Sequence, residues 1–189
     1  LVDTLIEAYD TFEPKLMGIA GTCASMIIGE DLKEAITPET TLITIMHGNN
    51  EIGTLQPIEE IGKIAHENGI VFHTDAVQTF GKVEIDVEKQ NIDLLSVSSH
   101  KINGPKGVGA IYIKKGIRLI PLIHGGGQEK GIRAGTENVA GIVGFGKAAE
   151  IATSKLDEHT EKLSKIRDEI VEKVHKKIME GVSRGGTKG

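Results

Sequence analysis

Short apolar runs alternate with one well-marked helical segment, and this alternation constrains the fold more than any other feature of the sequence. A β-rich run at 41–46 leads to Pro57, which suits the first position of a helix that is predicted to reach residue 68. Two glutamates lie at its positive end, and Gly69 suits a left-handed stop. Further strands are predicted at 70–74, 93–97, 107–113 and 118–123. The order strand, helix, strand predicts an α/β protein with a largely parallel sheet.

The last third of the sequence carries a long helical pattern. It begins at Glu137, and a bend or break is expected near Thr153 and Ser154. Lys and Glu cover one face, which is typical of a solvated side. Apolar residues recur on the other face at steps of three, four and seven, namely Ala152, Leu156, Leu163, Ile166, Ile170 and Val174. Shorter helical segments are expected at 3–10 and 31–36.

Composition indicates one globular domain with a sizeable core, because the 189 residues are 39% hydrophobic and 26% charged. The net charge of −5 gives no basic surface for nucleic acid, and the longest uncharged run, 16–29, is too short for a membrane span. No signal sequence is recognised, so a cytoplasmic location is expected. The single cysteine, Cys23, is interpreted as a small buried hydrophobe. The seven histidines show no zinc-ligand spacing, so no metal is expected.

Two predicted strands end on residues that carry chemistry. Asp75 closes the run at 70–74, and Lys101 follows the run at 93–98 inside a glycine-bounded turn. Ligands of parallel α/β sheets bind outside the carboxyl ends of the strands. A constrained lysine can attack a carbonyl carbon, and an acid facing it can pair with a pyridinium nitrogen, as pyridoxal phosphate requires. The alternatives are a helix N-cap for Asp75 and a surface loop for Lys101.

Four strings in a fixed order resemble the cysteine desulfurases, which are class V members of the aminotransferase-type pyridoxal phosphate enzymes. The resemblance runs from about residue 30 to about 173, with none across 1–29. It implies the central part of a three-layer α/β/α large domain at 30–145, with a mostly parallel sheet. A long helix at 146–189 would lead toward a small domain outside this chain, and 1–29 stay unassigned. The strings are 46–57, 73–78, 98–109 and 124–138.

The resemblance implies the site residues one by one. Lys101 would bond the aldehyde of pyridoxal 5'-phosphate and later move protons, while Asp75 would keep the ring nitrogen protonated. Gln78 would donate to the phenolic oxygen of the cofactor, and Asn50 would lie near that oxygen and the substrate carboxylate. His73 would fix Asp75. Taken without the family, Gln78 and Asn50 are equally well explained as turn residues.

The phosphate contacts are also implied by the resemblance. Ser98 and His100 match positions that contact the phosphate, and such donors suit a dianion. Thr136 matches a threonine that reaches the phosphate of the neighbouring subunit's cofactor, which would require a homodimer, with Arg133 as a helper. The glycine-rich segment 125–136 lacks the order of a nucleotide-binding loop and could equally be flexible turns.

The parent reaction implied by the resemblance converts L-cysteine to L-alanine and passes sulfur to an enzyme persulfide for iron–sulfur or thio-cofactor assembly, with scaffold proteins as acceptors. No counterpart is found for the family's phosphate loop, ring-stacking histidine, substrate arginine or sulfur-accepting cysteine, and Cys23 lies in the wrong part of the sequence for that role. This chain is therefore expected to be a piece of a longer protein, and whether it is active alone stays open. The alternatives are another class V enzyme, such as a selenocysteine lyase or a kynureninase-like protein, and an inactive remnant.

Overall fold

The structure is a computed structural model that describes residues 17–21 and 29–185, with side chains described from 32 to 179. The helix expected at 3–10 and the burial expected of Cys23 lie outside the described residues. The strands are β1 (Met17–Gly21), β2 (Thr40–Met46), β3 (Val71–Asp75), β4 (Leu94–Ser98) and β5 (Gly109–Ile113). The α-helices are α1 (Gly29–Ala35), α2 (Ile58–Glu67), α3 (Val139–Ser154) and α4 (Leu156–Gly185). Short 3₁₀ helices lie at Ser99–Ile102 and Gln128–Gly131.

The five strands form one sheet in the order β1-β2-β3-β4-β5. The first four are parallel and β5 is antiparallel, so the predicted α/β fold with a largely parallel sheet is confirmed. Asp75 pairs with Met46 on one side and with Ser96 on the other. The carboxyl ends of β2, β3 and β4 therefore lie along one edge of the sheet. At that edge the chain returns in β5, whose Gly109 pairs with Ser98.

The hydrophobic core lies between the sheet and α2. Ile58, Ile61 and Ile64 recur at steps of three along α2 and are buried, which gives the helix one apolar face. They pack with buried residues of β2 and β3, of which Phe72 is fully enclosed. Burying a side chain of this size contributes about 1.5–3 kcal/mol. The helix ends as predicted, because Gly69 adopts a φ of +67°.

Asp93 anchors β4 at the end opposite to the carboxyl edge. Its carboxylate, whose side chain is 6% exposed, accepts a hydrogen bond from the backbone N–H of Phe72 at 3.0 Å. Lys114 Nζ lies 3.0 Å from the same group, and His66 Nε2 lies 3.2 Å from it. Burial opposes ionisation of Asp93, but these hydrogen bonds and the Lys114 charge outweigh it, so the pKa of Asp93 lies below its ordinary value.

The long helical region is divided as expected. α3 begins after Asn138, whose side chain accepts a hydrogen bond from the N–H of Gly141, and it ends at Ser154. Lys155 separates it from α4, which confirms the break. The apolar residues predicted along α4 are largely uncovered in the described part of the chain, with Leu163 58% and Ile170 56% exposed. No helix of the described residues is long and apolar enough to cross a membrane.

The prediction of a strand at 118–123 is wrong. The segment is irregular, and Ile120 and Leu122 are 91% and 94% exposed. Pro121 has no backbone N–H to donate to a neighbouring strand, which accounts for the loss of pairing at this apolar run.

Candidate active site

Asp75 and Lys101 lie at the ends of neighbouring parallel strands. β3 ends at Asp75, whereas β4 ends at Ser98 and passes directly into the 3₁₀ helix Ser99–Ile102, which contains Lys101. Both residues are half-buried. The strand pairing therefore brings the predicted acid and lysine to the same edge of the sheet, on adjacent strands.

The Asp75 carboxylate is held in place by the start of the next turn. Its Oδ1 accepts a hydrogen bond from the N–H of Val77 at 2.9 Å, so the residue does cap the turn that follows β3. Its carbonyl oxygen accepts from the N–H of His47, which ties β3 to the end of β2. Among the described residues Oδ2 has no hydrogen-bond partner, so one carboxylate oxygen is left to bind a ligand.

The turn that carries Lys101 is fixed by backbone hydrogen bonds. The N–H of Ser99 donates to the carbonyl of Val108 at 3.0 Å, and the N–H of Gly104 donates to the carbonyl of Ser99 at 3.0 Å. Asn103 closes the turn with a φ of +63°, a conformation that asparagine tolerates. Within the described part of the chain the Lys101 ammonium has no carboxylate partner.

A second lysine, Lys82, lies beside this turn and was not singled out from the sequence. Burial lowers the pKa of Lys82, and the positive charge of Lys101 lowers it further. A lone lysine after a glycine carries no recognisable signal, because only the folded chain brings it near Lys101. Two ammonium groups at one sheet edge make that edge attractive to an anion.

Ser98 and His100 flank Lys101 closely. The Ser98 hydroxyl and His100 Nδ1 are 2.7 Å apart, and His100 is exposed. Gln78 is half-buried in the turn after Asp75, and exposed Asn50 follows β2 at the same sheet edge. The hydroxyl, imidazole and amide groups that were predicted to bind the cofactor therefore follow three neighbouring strand ends.

Thr136 stands apart from this group. It is exposed and lines a groove of about 850 Å³ beside β5, together with Arg133 and Ile111. The glycine-rich segment around it forms a turn in which Gln128 Oε1 accepts from the N–H of Gly135 at 3.1 Å. No contact joins Thr136 to Asp75 or Lys101 in the described structure.

Two histidines near the sheet edge are buried to different extents. His73 lies between the hydroxyls of Thr44, at 2.6 Å from Nδ1, and Ser96, at 2.8 Å from Nε2. Burial lowers the pKa of His73, against the opposing charge of Asp75. His47, to which the sequence assigned no role, is buried and its Nδ1 lies 2.9 Å from the hydroxyl of Thr79. Burial lowers its pKa too, so both rings favour the neutral state.

The chain matches the family model described as aminotransferase class-V over residues 19–183. It belongs to that family. Members of the family use pyridoxal phosphate, and the residues at the sheet edge suit this group. They offer one carboxylate oxygen without a partner, one ammonium without a counter-ion, and a hydroxyl–imidazole pair beside it. The described residues contain no cluster of three or more His, Cys, Asp or Glu side chains that could hold a metal ion.

Curated relatives and solved structures agree with this membership. A cysteine desulfurase IscS from Clostridium botulinum is 58% identical over 151 residues, covering 80% of this chain and 38% of the relative. One from Methanosarcina thermophila is 59% identical over 147 residues, covering 78% and 36%. A NifS-like protein structure has a TM-score of 0.80 at 37% identity, covering 92% of this chain and 55% of that one. The structure of SspA in complex with cysteine has a TM-score of 0.69 at 42% identity, covering 79% and 51%.

The extent of the match differs from the sequence interpretation at one end. The family match begins at residue 19, within β1, whereas the motifs show no resemblance across 1–29. This strand pairs with β2 and so belongs to the same sheet. The chain spans 36–38% of the length of the two curated relatives described above.

Proposed function

We propose that this chain supplies the lysine and the acid of a pyridoxal phosphate-dependent cysteine desulfurase. The observation that carries the proposal is the placement of Asp75 and Lys101 on adjacent strand ends, each with a polar atom left free for a ligand among the described residues. The relatives named cysteine desulfurase favour this activity over a selenocysteine lyase or a kynureninase-like enzyme.

Asp75 and Lys101 would act on different parts of the cofactor. When bound, pyridoxal phosphate supplies an aldehyde and an electron-withdrawing pyridinium ring. Asp75 Oδ2 would accept a hydrogen bond from the ring nitrogen and hold its proton. Lys101 Nζ would bond the aldehyde carbon, and after its release by the substrate amine it would take up and return protons.

The remaining predicted residues would orient the bound group. Ser98 and His100 would donate to the phosphate, where charge-assisted bonds are the stronger kind. Gln78 would donate to the phenolic oxygen, and Asn50 would lie between that oxygen and the substrate carboxylate. Thr136 is exposed and lies apart from Lys101, so we propose that it contacts the phosphate bound by a second copy of the chain in a homodimer.

The parent reaction that we propose takes L-cysteine to L-alanine and passes sulfur to an enzyme persulfide and then to acceptor proteins for iron–sulfur assembly, in the cytoplasm. The residues whose side chains are described contain no cysteine. The one cysteine of the sequence, Cys23, lies in the wrong part of it for this role, so the sulfur-accepting thiol would not be supplied by these 189 residues. Incubation of the purified chain with pyridoxal phosphate, cysteine and a reductant should yield little alanine or sulfide, and robust turnover would contradict this assignment of the thiol.

The central test is covalent trapping. The purified chain is mixed with pyridoxal 5'-phosphate, reduced with borohydride and mapped by mass spectrometry, with exposed Lys63 as the internal reference. We expect the adduct to form at Lys101 well ahead of Lys63, to vanish from that peptide in Lys101→Arg, and to weaken in Asp75→Asn. Equal labelling of Lys101 and Lys63 would overturn the proposed function.

A further inference from the structure

The turn that carries Lys101 rests against α3 at very close range. The face of α3 that contacts it is formed by Gly141, Gly144 and Ala148, which recur at steps of three and four and so lie in one row with Ala152, which faces Gly81. Small residues let two backbones approach more closely than larger side chains would. The contact between this row and residues 102–108 is called the α3 contact below.

The glycines of the row leave no room for a side chain. A methyl group added at Gly144 would lie 2.6 Å from Cγ of Pro105, in the loop that follows Lys101. A methyl group at Gly141 would overlap Cγ2 of Val108, which stands before β5. Neither neighbour is the end of a flexible side chain, since one is a proline ring and the other a β-branched residue. The loop would therefore have to move if either glycine gained a side chain.

The loop that follows Lys101 also leaves no room for a side chain at Gly104. The Cβ of Ala148 lies 3.1 Å from the position that a Cβ on Gly104 would occupy, and that position also overlaps the Oγ of Ser99. Ser99 directly precedes His100 and Lys101. Its side chain is fully buried, and its hydroxyl has no hydrogen-bond partner among the described residues. A side chain at Gly104 would therefore press against both the helix and the residue that precedes His100 and Lys101.

The helix itself is fixed at separate points. Asn138 caps its first turn by accepting from the N–H of Gly141. Phe145 packs edge-on against Phe80, with ring centroids 6.4 Å apart, and Phe80 lies in the segment that follows β3. A methyl group at Gly81 would approach both Ala152, at 2.9 Å, and Ile102, at 3.0 Å. One helix thus contacts the segment after Asp75 and the turn of Lys101 at once.

We propose that α3 is the positioning element for Lys101, and that Gly144 and Gly104 are positioning residues for the reaction of its amine with an aldehyde. The strand ends and the backbone hydrogen bonds of Ser99 hold the start of the Lys101 loop, and the α3 contact holds residues 102–108 from the other side. A shift of about 1 Å in a reacting group can cost about 100-fold in rate. This inference rests on the proposed function, because it concerns the same lysine.

The test compares two glycines of the same helix. Gly144→Ala places a methyl group against Pro105, whereas Gly146→Ala, two residues further along, places it where nothing lies within 4 Å. Both changes replace a helical glycine with alanine and so carry the same gain in helix propensity. The rate of borohydride-trapped adduct formation at Lys101, relative to Lys63 in the same molecule, is measured with pyridoxal 5'-phosphate alone. Circular dichroism and thermal melting report the fold separately.

We expect Gly146→Ala to label Lys101 at the wild-type rate and Gly144→Ala to label it about 10- to 100-fold more slowly. Adding Pro105→Ala to Gly144→Ala, which removes the obstructing ring, should restore much of the rate. An unchanged rate in a folded Gly144→Ala protein would overturn the inference while leaving the proposed function standing. Absence of any preferential adduct at Lys101 in the wild-type chain would overturn the proposed function itself and this inference with it.

A second pair of variants tests the same inference if Gly144→Ala does not fold. Ala148→Gly removes the methyl group that faces Gly104, and Ala140→Gly makes the same change at an exposed position of the helix. We expect slower labelling of Lys101 only in Ala148→Gly, because its loop loses a contact that holds it in place. Equal rates in the two variants would contradict the positioning role of α3.

Discussion

Replacement of Asp93 tests the ionic anchor at the start of β4. Asp93→Asn keeps the size of the side chain and one oxygen for the Phe72 N–H, but it removes the negative charge. Lys114 and His66 are 41% and 37% exposed, so solvent screens both partners and each pairing contributes only about 0.5 kcal/mol. A hydrogen bond to a charged acceptor exceeds one to a neutral acceptor by about 1 kcal/mol. The expected loss at pH 7 is therefore about 1–2 kcal/mol.

Asp93→Ala separates the hydrogen bond from the charge. It leaves the buried N–H of Phe72 without its side-chain acceptor, which costs a further 1–3 kcal/mol by order of magnitude, about 2–5 kcal/mol in all. Urea unfolding followed by circular dichroism gives both losses from the shift in midpoint at constant slope. Glu84→Gln serves as the control, because Glu84 is exposed and forms no hydrogen bond or ion pair in the described structure; it should change stability by less than about 0.5 kcal/mol.

The difference in free energy of unfolding between wild type and Asp93→Asn should depend on pH. The pKa of Asp93 is depressed in the folded chain, so its charge stabilises the fold at every pH above the unfolded value of about 3.9. That stability is lost as the pH falls through the folded pKa, where wild type and Asp93→Asn both become neutral at this position. The gap between them should therefore be present from pH 7 to 5 and shrink below pH 4. A gap that is absent at pH 7, or that does not shrink below pH 4, would refute the reasoning.

Two further changes test local packing. Gly62→Ala should destabilise the chain by about 1–3 kcal/mol although alanine is the better helix former, because the added methyl group would overlap the carbonyl oxygen of Gln90; a rise in melting temperature would contradict the close contact. Asn138→Ala should cost about 1 kcal/mol, because it removes the side chain that caps α3 by accepting from the N–H of Gly141. Asn138→Asp should retain most of that stability in the same urea titration, and equal losses in the two variants would exclude capping as the cause.

The elements that the sequence predicts are those marked by local signals, such as a helix-starting proline or a helix-ending glycine. Pro57, the two glutamates after it and Gly69 predict the helix of residues 58–67, and it ends within one residue of the predicted position. The break between α3 and α4 at Lys155 was foreseen from Thr153 and Ser154. β1 was not foreseen, because Gly18 and Gly21 weaken any local strand preference and pairing with β2 alone defines it.

The site was only partly visible in the sequence for the same reason. Asp75 and Lys101 are predicted from the sequence because strand ends of a parallel sheet meet at one edge, whereas Ser98 and His100 are predicted only through the family resemblance. Lys82 and the contacts of α3 were missed, since they depend on how segments far apart in the chain pack together. No sequence rule marks Gly144 as facing Pro105, and only the geometry of the folded helix does.

The antiparallel direction of β5 has a consequence for how the lysine is held. Because Ser98 pairs with Gly109, the ten residues between them leave the sheet and re-enter it at adjacent positions, so both ends of the loop are clamped. Since the two ends pair with each other, the loop is released when β4 and β5 separate at this pair. Amide protons such as those of Ser99 and Gly104 should then exchange with solvent on the slow timescale of the sheet. Lys101 therefore lies in a loop whose release depends on the pairing of β4 with β5.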